Sequence, residues 1–188
     1  MATEAAELYD EDFYAWTQQQ AQALRAHFRG DNRLDVEHLA EEVEDLGKSE
    51  LHAVESYVEN VIEHLLKLDY SGWVDARNHW RAEVDAFRAS IERKITPRIR
   101  QQVETELVAL YERARRASAR SLHQREPDFV RRLPKRCPYD WETIWHRDVF
   151  AEAGVDLEET EDTGYRRSRG ATPVRGRRAV APRSSKNK

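Results

Sequence analysis

His38, Glu41, Glu42 and Asp45 fall at i, i+3, i+4 and i+7, a spacing by which one helix can gather an imidazole and three carboxylates. Carboxylate-bridged metal sites in helical bundles use such sets, but they aim their ligands into the bundle. Here Glu41 and Asp45 lie almost opposite the apolar line of Val36, Leu39 and Val43. His64 lies 19 positions beyond Asp45, about 28 Å along a continuous helix. The four residues therefore read as a solvated or partner-facing acidic surface, and no metal and no cofactor is assigned.

Gly47-Lys48-Ser49 matches the end of a phosphate-binding loop, but that loop needs a glycine five positions earlier, where Glu42 stands. Cys137 follows Lys135 and Arg136, whose charge would favour a thiolate. With no histidine in fixed relation to it, it reads as a small buried hydrophobe. His64, at the edge of its helix stripe, reads as a hydrogen-bonded structural histidine. No catalytic residue is assigned. The polar cluster that an enzyme would draw on comprises Glu42, Asp45, His64, Arg81 and Arg88, between helices.

The carboxyl-terminal segment is the clearest pointer to a partner. Residues 166–188 hold nine basic side chains and no acidic one: Arg166, Arg167, Arg169, Arg175, Arg177, Arg178, Arg183, Lys186 and Lys188. Such a cation binds phosphate polymers by counterion release, without base selectivity. No aromatic follows Tyr165 to stack on a base. The competing readings are a solvated tail and a tail folded back on the acidic helices of its own domain.

These residues need a scaffold, and the apolar periodicity supplies one. Asp10 or Asp12 caps a first helix reaching to about Phe28, closed by Gly30-Asp31-Asn32. Asp35 caps a second, with Val36, Leu39, Ala40, Val43 and Leu46 on one face. Gly47 and Ser49 suit a hairpin turn there, although Gly47 also fits one continuous helix. Leu51, Val54, Val58, Val61, Ile62, Leu65 and Leu68 mark the third helix; Trp73, Trp80, Val84, Phe87, Ile91 and Ile95 mark the fourth. Thr96-Pro97 starts a fifth that carries Ile99, Val103, Leu107, Leu110, Ala114 and Ala117 to about Ser121. Glu126 to Pro138 is a connector, and Asp140 caps a short last helix, with Tyr139 packing on Ile144.

The fold expected is all-α: an up-and-down bundle of about five helices plus a short C-terminal helix, residues 1–152, followed by a disordered acidic-then-basic tail, 153–188. Within 188 residues, residues 1–69 carry 5 basic and 17 acidic side chains, whereas 77–132 carry 14 and 8. An acidic layer laid on a basic one would favour one assembly order, with Glu42, Glu44 and Glu55 meeting Arg81, Arg88, Arg100 and Arg113. One cysteine, no signal-like start and no long apolar run point to a cytoplasmic protein with no membrane contact.

Four segments within residues 9–150 stand out together: Tyr9-Asp10-Glu11-Asp12-Phe13-Tyr14-Ala15-Trp16, Leu39 through Glu50, His64-Leu65-Leu66-Lys67 and Cys137-Pro138-Tyr139. In their order and spacing the sequence resembles the family of small all-helical bacterial proteins of unknown function called DUF29. The sequence departs from the family pattern at Tyr70-Ser71-Gly72, His79-Trp80 and Thr96-Pro97-Arg98-Ile99. The resemblance implies an α-helical fold and a bacterial cytoplasmic setting, and no activity. The function expected is a non-enzymatic protein-interaction module whose partner is another protein or a second copy. The alternatives are a nonspecific nucleic-acid or polyanion binder acting through its tail, and an enzyme with a site near Glu42, His64 and Arg88.

Overall fold

The computed structural model describes residues 2–27 and 34–151; the basic-tail residues and the Gly30-Asp31-Asn32 break lie outside them. Helix α1 (Ala2–Glu11) passes into α2 (Phe13–His27) at Asp12. There Asp12 Oδ1 accepts from Ala15 N at 2.9 Å and starts the second helix. Helix α3 (Val36–Tyr70) is capped by Asp35, whose carboxylate accepts from His38 N at 3.3 Å. A 3-10 turn (Val74–Ala76) precedes α4 (Arg77–Glu92). Thr96 caps α5 (Pro97–Thr105), its hydroxyl accepting from Ile99 N at 3.2 Å. Then come α6 (Leu107–Leu122), the single turn α7 (Phe129–Arg132) and α8 (Trp141–His146). Asp140 starts α8, accepting from Thr143 N at 2.8 Å.

The helices divide differently from the expected five. Gly47 is buried inside α3 and closes no hairpin: a Cβ there would run into the Thr17 hydroxyl and stand 3.2 Å from Thr17 Cβ and 3.3 Å from Tyr14 Cδ2. Ala40, Gly47, Thr17 and Ala21 are all buried, so small side chains let α2 and α3 approach closely. That packing outweighs the penalty of about 1 kcal/mol for a glycine within a helix. The expected fifth helix bends at Glu106, one residue after Thr105, whose hydroxyl donates back to Gln101 O at 2.9 Å. Such back-bonding bends helices.

The second half of α3 is the axis of the bundle. Val54, Val58, Val61, Ile62, Leu65 and Leu66 are fully buried. They pack with Trp80, Val84 and Ile91 of α4, Ile99 and Val103 of α5, and Leu110, Tyr111 and Ala114 of α6. At about 25 cal/mol per Å² of apolar surface, this burial is the main stabilising term. Charge pairing between layers is present but sparse: Glu50 with Lys94 at 2.6 Å, and Glu59 with Arg113. Glu44 instead meets Arg25 on the neighbouring helix α2 at 3.1 Å. Exposed pairs of this kind contribute about 0.2–1 kcal/mol each. No helix among the described residues is long and apolar enough to cross a membrane.

Candidate functional site

The five residues of the expected polar cluster occupy separate places. Glu42 and Asp45 are exposed on the first half of α3, and Asp45 Oδ1 accepts from Lys48 Nζ at 3.0 Å. His64, 22 positions beyond Glu42 in the same helix, is about 33 Å away along the axis. Its Nδ1 lies 2.7 Å from Asn60 O, and its ring packs on Phe87 with centroids 5.8 Å apart. Burial holds this imidazole below its ordinary pKa, against the opposing pull of the Asn60 carbonyl; the Lys67 ammonium adds to the depression. Lys67 itself is buried and paired with Glu63 at 2.7 Å.

Arg81 and Arg88, one heptad apart on α4, direct their hydrogen bonds to main-chain and amide oxygens rather than to carboxylates. Arg81 Nε donates to Val149 O at 2.8 Å and its Nη1 to Asn78 Oδ1 at 2.9 Å. Arg88 donates from Nε to Ile144 O at 2.8 Å, from Nη1 to Arg147 O at 2.8 Å and from Nη2 to Thr143 O at 3.3 Å. These carbonyls end α8, where the helix leaves acceptors unpaired and its dipole is negative. Both arginines thus tie the last described segment to the bundle. Burial lowers the Arg88 pKa, with Asp85 opposing.

The segments that carried the family resemblance serve the same architecture. Asp12 bridges two helix starts, its second oxygen accepting from Arg98 N at 3.1 Å. Tyr139 donates to Asp69 Oδ2 at 2.7 Å, and Arg147 forks onto the same carboxylate at 2.7 and 2.8 Å. Burial and the Asp69 charge push the Tyr139 phenol far above its ordinary value, so it stays a donor. Cys137 donates to Tyr139 O at 3.2 Å, and burial raises its thiol pKa, as suits a structural cysteine. Glu126 accepts from Ser71, from Gly72 N at 3.1 Å and from Arg132, joining the end of α3 to the connector. Burial works to raise the Glu126 carboxyl, but these donors outweigh it and hold it low. No group of three or more metal-ligating side chains is present among the described residues.

Two surface features remain. The first half of α3 buries Ala40 and Gly47 and leaves Leu39 45% and Leu46 57% exposed, with Leu34 49% exposed just before the helix. The apolar stripe expected to face the core is thus shifted by one residue. The close contact of α2 with the small side chains turns the leucines outward, beside exposed Glu42, with exposed Glu41 and Asp45 further round the helix. On the other edge Arg25 closes the hairpin onto Glu37 at 3.0 Å and Glu44 at 3.1 Å.

The second is a cleft of about 380 Å³ between the start of α5 and α8, walled by Ile95, Pro97, Arg100, Trp141, Trp145 and His146. The indoles of Trp141 and Trp145 stack at 5.7 Å, and the Arg100 guanidinium carbon sits 5.3 Å from the Trp141 ring. Sequence reasoning passed over this site. The available signal was the i, i+4 tryptophan pair in so short a helix.

Comparison with curated proteins gives no significant match. An α-helical protein of unknown function from Rhodospirillum rubrum, solved by crystallography, is similar over 77% of this chain and 93% of its own. The TM-score is 0.60 and the sequence identity 25%. The family model of the domain of unknown function DUF29 matches residues 8–150. That match runs from the end of α1 through the Asp12 bridge to the segment held by Arg81 and Arg88, and the chain belongs to the DUF29 family.

Proposed function

We propose that this DUF29 domain is a cytoplasmic protein-interaction module that docks its partner on the outer face of the first half of α3. The observation that carries the reading is the pair of half-exposed leucines, Leu39 and Leu46, one heptad apart on a helix that α2 covers on one side. Exposed leucine at heptad spacing is the apolar half of a helix-in-groove or helix-on-helix contact. Glu42 beside it sets the other half: a partner helix with apolar residues at the same spacing and Lys or Arg on the flank that meets Glu42.

The test places a photo-cross-linking amino acid at Leu46 in the full chain and identifies the adduct by peptide mass spectrometry in the bacterial cell. The expected adduct is one dominant protein, cross-linked through an amphipathic basic segment and lost in a Leu39→Glu variant of unchanged helical content. Adducts only within the chain itself, or a scatter of unrelated proteins insensitive to Leu39→Glu, would refute the proposal. Adducts to a second copy would replace the foreign partner with self-association.

A further inference from the structure

The cleft between α5 and α8 has the composition of a small-molecule site rather than of a packing defect. Its walls are two stacked indoles, Ile95 and Pro97, and its one strong fixed charge is Arg100. Pockets that hold organic ligands join flat apolar walls to a few placed polar groups in this way.

The start of α5 borders the cleft and would ordinarily offer amide donors to an anion. Here those amides are taken. Pro97 has none, Arg98 N is bound by Asp12, Ile99 N by the Thr96 hydroxyl and Arg100 N by Thr96 O at 2.9 Å. The anchor must therefore be the guanidinium. Arg100 donates from Nε to Glu104 at 2.9 Å, which pins the side chain across the Trp141 ring. Its two Nη groups make no hydrogen bond among the described residues, and a second carboxylate, that of Glu142, stands 3.9 Å from Nη2. A guanidinium held by Nε with an open Nη edge is preorganised for a carboxylate, and an aromatic face beneath it sets the plane of whatever the carboxylate carries.

We infer that the cleft formed by Arg100, Trp141, Trp145 and Pro97 binds a small planar organic anion, its carboxylate on the Nη edge of Arg100 and its apolar plane against the indoles. Glu142 is the built-in competitor for the same guanidinium, so it sets how tightly the anion is held.

The probe pair is naphthoate and its neutral amide, titrated calorimetrically into the full-length protein. Naphthoate is expected to bind saturably, with the amide about tenfold weaker. Arg100→Met is expected to erase the difference, Trp145→Ala to weaken both ligands, and Glu142→Gln to tighten naphthoate several-fold. The inference is overturned by absent saturation, by equal affinities for acid and amide, or by either weakening variant binding like the native chain. Should Arg100→Met lose its helical circular dichroism, the exposed Glu142→Gln position decides: unchanged or weaker binding there counts against the site.

Discussion

Asp12 and Arg98 are 86 residues apart in sequence, yet the carboxylate of the first accepts the backbone N–H of the second at 3.1 Å. Its other oxygen caps α2 through Ala15 N, so one buried side chain fixes the starts of two helices. A cap contributes about 0.5–2 kcal/mol. Asp12→Ala should therefore lower the urea-unfolding free energy by roughly 2 kcal/mol, and Asp12→Asn, with one acceptor left, by about half that. An alanine variant as stable as the native chain would show that the bridge is incidental.

Gly47→Ala should destabilise, although alanine is the better helix former by about 1 kcal/mol. The new methyl meets Thr17 and Tyr14, and overpacking of this kind costs about 1–3 kcal/mol. Thr17→Ala in the same chain should recover part of the loss, because it removes the hydroxyl that obstructs the methyl. The double-mutant cycle measures that coupling, and simple additivity would contradict the steric account.

Arg88→Leu removes the donors of three carbonyl contacts at the end of α8 and should cost about 2–3 kcal/mol. The loss should be local before it is global. Limited trypsin digestion should cut after Arg147 faster than within α3 or α4, and Arg88→Lys should behave nearly as badly, because an ammonium cannot fork onto three oxygens. Uniform cleavage along the chain would argue against a dedicated tie.

His64 predicts a pH dependence whose sign follows from its depressed pKa. The unfolded chain takes up the proton near 6.5, whereas the folded chain resists it until a lower pH. Between the two values the unfolded state holds more protons. Stability therefore rises with pH across that window, is intact above it and is lost as pH falls through it. His64→Gln should flatten this slope below about pH 6.5 in urea titrations. A variant with the native slope would assign the effect to other groups.

Much of the architecture is legible in local sequence, because caps and periodicity act within a few residues. Asp35, Thr96 and Asp140 all cap the helices that their side chains suggest, and the stripes of the second half of α3, of α4 and of α6 face the core. What the sequence conceals depends on distant partners. Gly47 looks like a terminator until Thr17 is brought against it, and the Leu39–Leu46 stripe looks internal until α2 settles on Ala40 instead. The candidate sites follow the same rule. Arg88 resembles a half of an ion pair, but its acceptors are main-chain oxygens 55 to 59 positions away, which no side-chain pattern marks. The cleft at Arg100 joins two segments more than 40 positions apart.

Arg81 and Arg88 hold the segment around 143–149 by oxygens that every amino acid possesses. The grip is blind to the letters written there. Side chains such as Trp145 and His146 can be exchanged while the path beneath them stays put, so descendants of this fold can rewrite what the segment shows the cell without rebuilding the frame that displays it.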